Sequence, residues 1–335
     1  MKDKLISELG EKKLIQILLE KRDSMVDDAD KKVKNSYHDD AALINNSSKY
    51  TVISTDMLIQ HSHFPKTMTP YQMGEKIVTV NVSDILAMNA TPTSILVSMG
   101  LPPEMKLEEY ERLTDGILDK CREYEITLIG GDLNQNTEII LSGTSVGHVD
   151  DKVKLQTDIK ENDLIAITGE LGGPAAALDL IYNKSDICED EKINVIKSLL
   201  EPDLPIKQAG MLRKYPDLTT SITDITDGLA VELGHLHDKN SSIGFEINYD
   251  MIPYNKTIEK VAKINNKELT EYLLHFGEEF ELLLTLDEKE FHKHEDELEN
   301  LHIIGKCNNS GKITLIKDDI RESIANRGYE HLKDD

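Results

Sequence analysis

Two apolar rhythms alternate along this chain, and that alternation restricts its fold more than any other feature. Short runs rich in Val, Ile and Thr ("YTVIST", "TSILVSMGL", "ITLIGGD", "EIILSGTSVGHV") have strand character, while "LEEYERLTDGILDKCREY" repeats its apolar positions at helical spacing. "YQMGEKIVTVNVSDILAMNA" reads as a helix despite its β-branched residues, because Ile77, Val78, Ile85, Leu86 and Met88 keep one face apolar. A second series follows, with strands at "DLIAITG", "SITDITDG", "SIGFEI" and "FELLLTL" and helices at "PAAALDLIYN", "LAVELGHLHDK" and "IEKVAKINN". Some strands neighbour one another in sequence, so an α+β chain with mixed sheets is expected rather than a regular doubly wound one. A length of 335 residues suits two α/β domains. The charged segment "DDKVKLQTDIKEND" lacks a core pattern and marks the expected boundary, giving units 1–150 and 151–335.

Composition narrows the partners. A net charge of −24, no Trp and only 5% aromatic residues argue against a nucleic-acid surface, which needs a basic face and stacking rings. The three cysteines, Cys121, Cys188 and Cys307, are widely spaced, as in a reduced intracellular protein. The first residues, "MKDKLISELGEKKLIQILLEKR", form an amphipathic pattern rather than a signal peptide, and no apolar run reaches membrane-spanning length. A cytoplasmic protein without membrane contact is the expectation.

Carboxylates carry the chemical signal. In "SYHDDAALI" Asp39 and Asp40 stand together, where each raises the cost of ionising the other unless solvent, a proton or a cation intervenes. Asp56 follows two hydroxyls in "STD", Asp84 lies on a helix in "VNVSD", Asp132 closes "LIGGD", and Asp224 and Asp227 share "TDITDG". A single such Asp often caps a helix or sits in a solvated turn. If these converge, that much negative charge calls for Mg²⁺, a hard cation that prefers oxygen ligands and usually completes its shell with phosphates, hence a nucleotide. No P-loop, dinucleotide fingerprint or protein-kinase signature is present, so phosphates would be held by metal ions and by backbone approaching at Gly130 and Gly131.

"DDAAL", "ISTDMLIQHSHF", "VNVSDILAMNATP", "LIGGD", "TGELGGPAAAL", "DITDGL" and "GEEFELLLT" resemble, in order, the motifs of the thiamine-monophosphate kinase family within the wider aminoimidazole-ribonucleotide-synthetase superfamily. The resemblance spans nearly the whole chain. It implies two α/β domains and a homodimer whose N-terminal strands pair in a barrel. It also implies Mg²⁺-dependent transfer from ATP to thiamine monophosphate by direct in-line attack, without a protein nucleophile. On matching positions, Asp40, Ser54, Thr55, Asp56, Asp84, Asp132, Asp224 and Asp227 would hold Mg²⁺. Gly131, Asp132, Gln156 and Thr226 would meet ATP, and His63, Glu278 and Tyr329 would face thiamine monophosphate.

Four departures stand out. His38 replaces a Gly, "TDG" replaces "SDG", "HFGEEFEL" replaces "SGGEDYEL" and so introduces Phe276, and Gln156 stands where many members carry Arg, with Lys154 nearby. Other members of the superfamily are rivals. Selenophosphate synthetase would need a reactive Cys or selenocysteine near the N-terminus, but no Cys precedes Cys121. The hydrogenase-maturation member needs a C-terminal Cys, and this chain ends "HLKDD". A non-catalytic acidic cation-binding protein is the reading from a different class. Without the resemblance, His63 is an ordinary surface histidine, Glu278 a solvated strand edge and Tyr329 a packing aromatic.

Overall fold

In the computed structural model, residues 33–35, 41–46, 49–150, 153–183 and 187–324 are described. The amphipathic N-terminal segment, His38, Asp39, Asp40 and Tyr329 lie outside them. A six-stranded sheet is built from β1 (Val33–Asn35), β2 (Ala42–Asn46), β3 (Lys49–Ile59), β4 (Thr91–Leu101), β5 (Thr127–Gln135) and β6 (Ile140–Val149). Its order is β1-β2-β3-β6-β4-β5, antiparallel except for the β4–β5 pair. One face carries two helices. The other is open, and β6 records this as a strict alternation of half-buried and buried residues.

Between β3 and β4 come a short turn, α1 (Gln60–His63), and the long helix α2 (Pro70–Ala87). Thr69 and Gln72 form a capping box at the start of α2, with Pro70 in the first turn, so entry into the helix is locally encoded. Far from having one apolar stripe, α2 is buried on most sides, including Lys76, Asn81 and Ser83. A helix buried all round must be central. On one side it meets α3 (Leu107–Glu123) so closely that a Cβ on Gly116 would lie 2.0 Å from the Tyr71 carbonyl oxygen.

The second sheet contains β7 (Leu164–Ile167), β8 (Thr219–Asp224), β9 (Gly244–Asn248), β10 (Leu282–Leu286), β11 (His302–Asn308), β12 (Ile313–Lys317) and β13 (Ile320–Ser323). Its order is β13-β12-β9-β11-β7-β10-β8. Around it lie α4 (Gly173–Tyr182), α5 (Glu189–Leu200), α6 (Ile206–Leu212), α7 (Leu229–Lys239), α8 (Thr257–Asn265), α9 (Leu269–Leu274) and α10 (Glu288–His294). β7, β8 and β10 are buried along their whole length, as strands covered on both faces are, although β8 ends the sheet. One apolar cluster runs from Leu58, Ile77 and Val82 to Ala166, Leu282 and Leu284, so α2 and the second sheet share a core.

The mixed-sheet expectation agrees with this architecture. Two strands extend beyond the aspartates expected at their ends. β3 continues through Asp56 to Ile59 because Met57, Leu58 and Ile59 still pair with Ser142, Leu141 and Ile140. β5 likewise runs past Asp132 to Gln135 alongside β4. The charged "DDKVKLQTDIKEND" segment is not a loose tether either. Lys154 is buried and donates to the carbonyls of Pro216 and Thr219 (2.7 Å to Pro216), while Leu155 packs against the first sheet's core.

Candidate active site

A cavity of about 550 Å³ opens where β3, α1, α4 and two loops of the second half meet. Thr55, Asp56, His63, Thr226, Asp227 and Glu278 all line it, so six residues expected from separate motifs share one space. Phe64, Leu178, Tyr182, Phe276 and Phe280 make its other wall largely apolar. The loops 225–228 and 276–280 are zipped by backbone hydrogen bonds, Glu278 N–H to Thr226 O (2.9 Å) and Phe280 N–H to Ile225 O (3.1 Å). Gly277 permits this approach, since a Cβ there would lie 1.9 Å from the Thr226 oxygen.

The remaining acids flank the cavity through α2. Ser54 donates to Asp84, and Ser83 on the same helix donates to Asp224 at the end of β8. Asn81 accepts from the Asp56 N–H (3.0 Å), donates to the Ile77 carbonyl (2.8 Å), and its own carbonyl accepts from Ser145. Glu232 in the first turn of α7 accepts from Thr226 Oγ1 (3.4 Å) and the Asp227 N–H (3.3 Å). Lys76, Asn81, Ser83 and Glu232 were not singled out in the sequence. The available signal was polar residues inside a helix whose neighbours are apolar on every side.

Electrostatics mark the region as short of positive charge. Burial pushes the Asp224 carboxyl up to about 7, and the negative Glu232 and Asp56 add to the effect, against the Ser83 hydroxyl. Among the described residues, no three His, Cys, Asp or Glu side chains converge closely enough to hold a metal ion by themselves. The donors are nonetheless hard oxygens, carboxylates beside Ser54, Thr55 and Thr226 hydroxyls, which suits Mg²⁺ whose shell is finished by phosphate oxygens and water.

Three expected residues are placed elsewhere. Asp132 stands in register with Ser98, Ser98 with Ser142, and Ser142 with Met57, which puts it on the open face of the sheet. Asp56 points to the other face, and three strand spacings separate β5 from β3, about 14 Å. Gly131 sits beside it, where a Cβ would lie 1.9 Å from the Val97 oxygen. Gln156 is only 3% exposed. Its amide donates to Thr223 Oγ1 (3.0 Å) and accepts from Lys239, and its carbonyl accepts from Asn240 (2.7 Å), so no part of it opens toward the cavity.

Beside the cavity, Glu279 is buried and accepts from the Gly172 N–H (2.9 Å) at the start of α4. Burial above all, with the negative Glu281 and Glu278 nearby, pushes its carboxyl up to about 8. A raised carboxyl favours the fold while protonated, and that advantage is lost as pH rises from the ordinary carboxylate range through about 8. Glu279→Gln cannot ionise. Its melting temperature should therefore gain on wild type between about pH 5 and about pH 9, then run parallel. Curves that stay parallel over the whole range would show that Glu279 carries its charge without penalty.

Residues 38–149 match the family model described as "AIR synthase related protein, N-terminal domain", which fits the half-open sheet and its two helices. The fold and site thus define a protein of the aminoimidazole-ribonucleotide-synthetase class. The chain is 33% identical over 288 residues to the thiamine-monophosphate kinase of Methanocaldococcus jannaschii, covering 82% of this chain and 87% of that one. It is 34% identical over 306 residues to the thiamine-monophosphate kinase of Buchnera aphidicola from Schizaphis graminum, covering 88% and 91%. The solved structure "AaThiL complexed with AMPPCP and TMP" superposes with a TM-score of 0.84 at 25% identity over 98% of both chains. The chain belongs to the thiamine-monophosphate kinase family.

Proposed function

We propose that this protein phosphorylates thiamine monophosphate with ATP, yielding thiamine diphosphate and ADP, as a Mg²⁺-dependent cytoplasmic homodimer. The observation that carries this reading is the shared cavity, where Asp56, Asp227, His63 and Glu278 meet beside an apolar wall. The polar side suits phosphates, and the apolar side suits the two rings of thiamine. The similarity to a structure holding AMPPCP and TMP supports both ligands.

In this reading a terminal phosphate oxygen of thiamine monophosphate attacks the γ-phosphorus of ATP. The bond to the β-phosphate oxygen breaks, and ADP leaves with that electron pair. The chain has to align the two phosphates and supply donors. His63 Nδ1 lies 3.0 Å from the Ile59 N–H and 3.3 Å from the Ile59 carbonyl oxygen; in the tautomer that accepts from the N–H, Nε2 carries the proton and can donate to the substrate phosphate. Thr226 and the Gly131–Asp132 pair would meet ATP, and Glu278 and the family-implied Tyr329 would meet the thiamine moiety. Asp40, Ser54, Thr55, Asp56, Asp84, Asp224 and Asp227, with Asp132 of the partner subunit, would hold Mg²⁺, which would screen the repulsion between the phosphates. Gln156 is left out of the nucleotide contacts because its amide is already engaged.

The position of Asp132 bears on the dimer. It cannot join Asp56 within one chain, but the open sheet face on which it stands also exposes Met57 and Leu96. Burying that face against a second copy would cover this apolar surface and bring Asp132 to the partner's site.

Purified protein given ATP, Mg²⁺ and thiamine monophosphate should form thiamine diphosphate. His63→Ala should raise the KM for thiamine monophosphate about tenfold, the loss of one charge-assisted hydrogen bond, with the KM for ATP within about twofold. Absence of turnover at saturating Mg²⁺, with cations still bound, would favour the acidic cation-binding protein instead.

A further inference from the structure

Lys76 is fully buried, with 0% exposure, in the middle of α2. Its ammonium donates to Glu278 Oε2 at 2.7 Å and to the backbone carbonyl of His63 at 3.0 Å. Both residues line the cavity, one on the turn after β3 and the other on the loop before β10. They are 215 positions apart in sequence by their numbers, and one ammonium group ties them together.

Glu278 is also held in the left-handed region of backbone space, at φ 70°. A non-glycine residue stays there only where its surroundings compensate. Here the compensation is visible as the Glu278 N–H bond to Thr226 and the ion pair to Lys76. The side chain of Glu278 keeps 27% exposure, so the pair has a buried cationic end and an anionic end open to the cavity.

We infer that Lys76 is a positioning residue for the substrate: it fixes the Glu278 carboxylate and the His63 turn at the spacing that admits the cationic organic part of thiamine monophosphate. This deepens the proposed function and rests on it. A bare carboxylate would also attract a cation, but it would be free to turn toward the Mg²⁺ region. Pairing with Lys76 takes up one carboxylate oxygen and directs the other outward. The cation therefore meets an oriented dipolar pair rather than a mobile anion.

Lys76→Met, Glu278→Gln and the double variant test this by steady-state kinetics. Lys76→Met should raise the KM for thiamine monophosphate at least about tenfold while leaving the KM for ATP within about twofold. The double variant should lose less than the product of the two single effects, because part of what Lys76 does is done through Glu278. Multiplying effects, or equal rises in both KM values, would overturn the inference. As a control for packing of the core, Lys76→Arg, which retains the cation, should recover part of the lost affinity. Hydrogen exchange separates this inference from the proposed reaction. In Lys76→Met, exchange should quicken in 60–64 and 276–280 and not in β7 or β10. Unchanged exchange in both loops would refute the positioning role whatever the substrate, whereas wild-type protein that does not turn over thiamine monophosphate would refute the reaction alone.

Discussion

Mixing Asp56→Asn with Asp132→Asn is expected to restore activity that neither variant has by itself. Asp56 lies on the cavity and Asp132 on the open sheet face, about 14 Å away along the sheet within one chain. If the partner's Asp132 completes each site, a mixed dimer has one site with both acids lost and one site with both intact. Random exchange makes half of the dimers mixed, so about a quarter of wild-type activity returns. Each variant alone should lose on the order of a thousandfold or more, because an aspartate amide cannot replace an anionic ligand to Mg²⁺. The measurement is turnover after unfolding and co-refolding the two variants at equal concentration. If both acids served the same chain's site, every site in the mixture would remain broken, and no activity would return. A stable monomer by light scattering would refute the arrangement independently.

The second large effect is on stability. Gln156→Arg places a guanidinium at a position 3% exposed, where the native amide already accepts from the Lys239 ammonium. The new guanidinium would meet the Lys239 ammonium, a like charge, in that buried space. An uncompensated buried charge costs about 3–5 kcal/mol. In a protein of this size that corresponds to a fall of roughly 10 °C in melting temperature. From the linker sequence alone, an Arg here would be expected to tighten ATP severalfold. The folded contacts reverse that expectation, and calorimetry should find ATP affinity unimproved. Tighter ATP binding at an unchanged melting temperature would mean that residue 156 swings out to the nucleotide.

Much of the fold was legible because it is local. The amphipathic 107–123 segment and the helical patterns of "PAAALDLIYN" and "LAVELGHLHDK", which form α3, α4 and α7, each report on their own neighbourhood. The C-terminal strands β11 to β13 were not read, since strands that are only half-buried or exposed carry a weak alternation among many charges. The strand ends at Asp56 and Asp132 were also misplaced, because pairing with β6 and β4 continues past the polar residue.

For the site, the residue types point to a class of chemistry. Clustered Asp, Ser and Thr in separate motifs favour hard-cation and phosphate binding where a fold unites them, because ligand preference belongs to the side chain. Which motifs unite is a property of strand order and helix placement, which no local pattern encodes. Tertiary structure set Asp56, Asp227, His63 and Glu278 around one cavity and put Asp132 on the opposite face. It buried Gln156, an expected ATP contact, and its neighbour Lys154 against partners within the chain. It also gave Lys76 its place, since a lysine in a helical pattern reads as exposed until the second half of the chain closes over it, with Glu278 at hand to balance the charge.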